Sequence, residues 1–90
     1  VVSRYERPLD QVLNSAREVL SRTGTLTGDD VVNNAVSAKI NNRSVWVTVA
    51  EVEPLVTEVK VRVRSSRGTG DLAMAAEVDK QIAIGLVISP

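Results

Sequence analysis

Three stretches of this chain alternate apolar and polar residues with a period of two, and valine dominates all three. Val36, Ala38 and Ile40 alternate with Ser37 and Lys39; Val45, Val47 and Val49 with Trp46 and Thr48; Val59, Val61 and Val63 with Lys60, Arg62 and Arg64. Successive residues of a strand point to opposite faces, so each stretch reads as a strand with one dry side and one wet side. Turn formers separate them: Asn41-Asn42-Arg43-Ser44 as a four-residue hairpin turn, then a turn around Glu53-Pro54. An antiparallel meander follows. Pairing Ile40 with Val45 and Val49 with Val59 puts every valine on one side, and a slip of one residue would scatter them.

Two apolar stripes at helical spacing flank the meander. Leu9, Val12, Leu13, Ala16, Val19 and Leu20 fall on one face, with Asp10, Gln11, Asn14, Ser15, Arg17 and Glu18 opposite. Pro8 suits the first helical position, Asp10 the positive end of the dipole, Arg22 the last turn and Gly24 a left-handed cap. Asp71 reads as the N-cap of a second helix carrying Leu72, Ala75, Val78, Ile82 and Leu86. Val1 to Glu6 alternates weakly as a short strand, and Thr25 to Asn34 reads as a loop or an irregular strand. Both helices need a cover and the sheet offers one apolar face. The expected architecture is a single α+β domain over residues 1–90: a two-layer sandwich in the order β-α-β-β-β-α, with an antiparallel meander sheet and two helices on one face.

Composition narrows the chemistry. The 90 residues hold no Cys and no His, and 11 Lys and Arg balance 11 Asp and Glu. Without imidazole or thiol, the side chains that titrate near neutrality are missing, as are the ligands of nearly every zinc, copper or haem site. No catalytic residue, metal site or cofactor is expected. Asp29-Asp30 and the Glu51/Glu53 pair lack the spacing of a calcium loop and read as surface charge. Arg67-Gly68-Thr69-Gly70-Asp71 lacks the Lys-Ser/Thr pair of a phosphate loop and reads as a turn with a cap. Seventeen valines against one Trp, one Tyr and no Phe make the core from small branched side chains.

The run Tyr5-Glu6-Arg7-Pro8-Leu9-Asp10-Gln11-Val12, followed by an Ala-containing helix and a Gly, resembles the opening of small bacterial envelope lipoproteins. The segment Val52 to Val61 is similar to their second hairpin. The resemblance implies export to the bacterial cell envelope, on its periplasmic side. It also implies lipid attachment through a Cys upstream of Val1, the one route by which this chain would meet a membrane. The family carries no established activity, so the resemblance transfers no catalytic residue.

Two surfaces remain as candidates for function. On the wet sheet face, Trp46 lies between Lys39 and Arg62 under the register above, with Arg43, Lys60 and Arg64 nearby. Such a face reads as a solvated face or a protein-contact patch. Stacking and binding a single-stranded nucleic acid or other polyanion is the alternative, disfavoured by the lone aromatic and the balanced charge. The second surface is the apolar tail, Ile84, Leu86, Val87 and Ile88, which needs either a partner chain or a place on the chain's own sheet. The expectation is a non-enzymatic structural or protein-interaction module of the envelope, offering a sheet face or strand edge to a protein partner or to a second copy of itself.

Overall fold

The computed structural model describes residues 1–30, 32–68 and 70–88, the last of these without its side chain. It is an α+β structure with a five-stranded antiparallel sheet and two helices: β1 (Val2–Tyr5), α1 (Leu9–Thr23), β2 (Thr25–Asp30), β3 (Ala35–Ile40), β4 (Arg43–Glu53), β5 (Val56–Arg64) and α2 (Leu72–Ile88). The sheet order is β1-β5-β4-β3-β2, a four-strand meander with β1 laid along the far edge of β5. The strand count corrects the expected order by one. Thr25 to Asp30 is an edge strand, irregular as the second of the two sequence readings has it, with a register shift between Leu26 and Gly28 and side chains exposed apart from half-buried Gly28. Its backbone pairs with β3, and with nothing to bury it carries no apolar alternation.

The β4–β5 register matches the sequence reading, with Val49 opposite Val59, Val47 opposite Val61 and Val45 opposite Val63. The β3–β4 register is displaced by two residues: Ile40 pairs with Arg43, Ala38 with Val45 and Val36 with Val47. The cause is the turn. Asn41 and Asn42 take φ of 50° and 65°, so the loop is two residues long with both in the left-handed region, as a type I′ hairpin requires. A shift of two preserves parity, and the valines still share a side. A shift of one would expose a whole strand's set at ~1.5–3 kcal/mol per side chain. That is comparable to the ~5–15 kcal/mol by which a domain is stable at all.

A continuous core joins the sheet's inward residues to Val12, Leu13, Ala16, Val19 and Leu20 of α1 and to Ala75, Val78, Ile82 and Leu86 of α2. The helices meet at small residues: Ser15 Oγ donates to the Ile82 carbonyl at 3.0 Å, and a Cβ on Gly85 would stand 2.6 Å from that hydroxyl. Pro8 is the N-cap of α1 rather than its first residue, with φ −60° and ψ 151°. Gly24 ends the helix, but not as a left-handed cap. Its backbone is extended (φ −160°, ψ −150°), and glycine is required because a Cβ would collide with the Lys39 carbonyl and with Ile40 Cγ1. Asp71 is the N-cap of α2 as expected, its Oδ1 accepting the Met74 N–H at 2.9 Å.

β1 is tied to the last helix. Ser3 Oγ donates to Asp79 Oδ2 at 2.6 Å and Tyr5 Oη to Asp79 Oδ1 at 2.8 Å. Burial, and then the hydrogen bond and charge of Asp79, push the Tyr5 phenol up to about 12. On the other flank, Arg17 of α1 grips Asp29 of β2 through Nε (2.8 Å) and Nη2 (3.1 Å).

Candidate functional site

The outward side of the sheet forms rungs across the three long strands. Ser37, Trp46 and Arg62 make one; Lys39, Ser44 and Arg64 the next; Ala35, Thr48 and Lys60 lie on the other side. Trp46 sits in the middle rung with 41% of its surface exposed. Its neighbour on β3 is therefore Ser37, and Lys39 stands one rung away, because the shorter turn moved the register.

Trp46 stands between two open grooves. One, of about 420 Å³, is lined by Trp46, Thr48, Arg62 and Arg64. The other, of about 240 Å³, runs past Thr27, Ser37, Lys39, Ser44 and Trp46. Thr48, Ser37 and Ser44 were not singled out by sequence reasoning. They carry no signal of their own beyond outward parity next to Trp46.

The candidate cations separate into three kinds. Lys39, Arg62 and Arg64 project from this face and, among the described residues, form no ion pair. Lys60 is also outward, but its Nζ lies 4.0 Å from Glu58, which accepts Arg4 Nε at 3.2 Å from β1. The face is thus uneven, partly neutralised toward β1 and wholly cationic around Trp46. Arg43 does not belong to it. It pairs with buried Ile40 and shares the parity of Val45, which places it on the helix side. There its Nε stands 2.6 Å from Asp71 Oδ2, a Coulombic contact rather than an aligned hydrogen bond. The Met74 N–H first, and then the Arg43 charge, hold the Asp71 carboxyl below its usual range. Asp30 is likewise held low, by hydrogen bonds from Asn33.

The apolar tail divides as well. Helix α2 continues through it, turning Leu86 inward to 4% exposure while Ile84 and Val87 stay outside at 41% and 79%. Leu86 is therefore a core residue, not a contact residue. The Ile88 side chain lies outside the described residues.

A third exposed feature is the β4–β5 hairpin tip. Glu51, Val52, Glu53, Pro54 and Leu55 are all exposed, Leu55 at 63%. A register shift between Glu51 and Glu53 bends β4 just before the turn. Proline fixes φ near −65° and Leu55 follows at φ +62°, the sign pattern of a type II turn whose second position normally carries Gly or Asn. The sequence shows Pro54 but gives no warning that a leucine takes the left-handed place.

Among the described residues no group of His, Cys, Asp or Glu is arranged to hold a metal ion, and no helix is long and apolar enough to cross a membrane. No protein-family model matches the chain, and no curated protein matches its sequence.

Proposed function

We propose that this chain is a non-enzymatic protein-interaction module, a two-layer sandwich whose helices roof the valine face and whose open sheet face docks a protein partner. The observation that carries this reading is Trp46, 41% exposed amid Lys39, Arg62 and Arg64, none of which has a counter-ion among the described residues. Aromatic and arginine side chains are the residues on which interfaces concentrate their binding energy. The absence of His and Cys from the sequence weighs against acid–base or thiol catalysis. The resemblance of Tyr5 to Val12 to envelope lipoproteins supports a place on the periplasmic side of a bacterial envelope.

A polyanion would also be drawn to unpaired cations. Stacking platforms for single strands offer successive aromatics, whereas this face offers one, and Lys60 is already engaged by Glu58. A protein surface with carboxylates and an apolar contact for the indole fits better.

The test is site-specific photo-cross-linking in cells, with the photoreactive residue at Thr48 on the outer face or at Glu77 on α2. Protein adducts from position 48 and none from 77 are expected. Equal labelling at both positions, or labelling of nucleic acid from 48, would end the reading.

A further inference from the structure

The protein-docking reading leaves the partner open, and the chain carries its own complement to the face. We propose that the outer sheet face of one copy receives the Glu51–Leu55 hairpin tip of a second copy. This inference rests on the reading of that face as a protein-docking surface.

Charge is the first argument. The chain is neutral, 11 cations against 11 anions, and although ion pairs take up several of each sign, one set of cations and one of anions are left without them in different places. Lys39, Arg62 and Arg64 surround Trp46 without partners, and Glu51 and Glu53 at the tip have none either among the described residues. Shape and polarity agree with charge. The tip exposes 40% of Val52 and 63% of Leu55, and the face exposes 41% of Trp46, so each surface offers an apolar patch ringed by the sign the other lacks. Leu55 adds a backbone argument. Holding a leucine at φ +62° costs of order 1 kcal/mol that a glycine would avoid, which is expected where the side chain is wanted at that spot.

The two surfaces cannot meet within one molecule. They lie on the same hairpin, and six residue steps along the strand from Trp46 to Val52 hold them roughly 20 Å apart. The contact is therefore between copies and runs head to tail, each molecule offering its tip to one neighbour and its face to another. A five-residue tip buries less than the ~1,200 Å² of a standard interface, so the association is weak and salt-sensitive, with a dissociation constant of roughly 0.1–1 mM.

The test uses charge reversal on the full chain, followed by sedimentation equilibrium at low salt with circular dichroism as the check on folding. Wild type shows an average mass that rises with concentration and falls back as salt is added. Glu51→Lys with Glu53→Lys remains monomeric, and so does Arg62→Glu with Arg64→Glu. The equimolar mixture of the two variants associates again, because each tip now finds a face of opposite sign. A wild type that stays monomeric near 1 mM, or a mixture of folded variants that fails to associate, overturns the proposal. If position 48 still cross-links to a different protein in that event, self-docking falls and the face remains a docking surface. If it cross-links to nothing, both fall. Quenching of Trp46 emission by a DNA oligonucleotide without self-association would overturn self-docking in favour of a polyanion.

Discussion

Along β4, Val45, Val47 and Val49 are buried to 2% exposure or less, while Trp46 and Thr48 between them meet solvent. The same backbone, hydrogen-bonded in the same ladder, thus presents one surface packed into the core and another that meets solvent. The inner surface is uniform because valine, alanine and isoleucine fill a fixed space between sheet and helices. The outer surface is heterogeneous, with an indole, two arginines and two lysines, because no internal packing demand selects among them. Buried and solvent-facing side chains are separated by a single residue of parity.

That separation can be broken by substitution, and the expected effects descend in order. Val47→Asp places an unpaired carboxylate under the helices, costs several kcal/mol and leaves no cooperative thermal transition, checked by calorimetry. Leu20→Ala, at 0% exposure in the same cluster, costs ~2–5 kcal/mol in a urea titration while leaving the fold recognisable. Gly24→Ala forces β3 away from the end of α1 and costs ~1–3 kcal/mol despite adding one methyl group.

Tyr5→Phe removes a donor from Asp79 and costs ~1 kcal/mol. The sign of the accompanying pH effect follows from the raised phenol. The stabilisation from Tyr5 is complete below pH 10, where the unfolded phenol is also protonated, and is lost as pH climbs toward about 12. A wild-type unfolding midpoint that does not fall faster than that of Tyr5→Phe across this interval would contradict the Asp79 latch. At the bottom of the scale, Arg62→Ser and Lys39→Ser shift stability by ~0.5 kcal/mol or less. Either serine variant costing as much as Leu20→Ala would erase the distinction between the faces.

What was legible in the sequence follows the same division. Apolar side chains announce where they go, so the strands of the meander, both helices and the Asp71 cap could be read directly. For β2 the sequence leaves a loop and an irregular strand both open, because an edge strand pairs through backbone atoms that every residue possesses. Register was recoverable in parity but not in absolute position: alternation cannot tell Val45 from Val47 as the partner of Ala38, and the left-handed tolerance of Asn41 and Asn42 decided it. Arg43 was misplaced for the same reason. As a turn residue it has no face, but as the first residue of β4 it faces the helices and meets Asp71. The tail looks apolar on all sides because Ile84 and Val87, on the outer side of the helix, are as apolar as Leu86 on its stripe, and only packing sorts one from the others.

The bond between Ser3, Tyr5 and Asp79 has a kinetic corollary. β1 has no mate until Thr57 to Lys60 has been made, and no anchor until Asp79 follows. Such distant closure slows folding relative to local pairing. β1 must therefore wait unpaired while the local β3-β4-β5 hairpins are already able to close, and it docks as a late step.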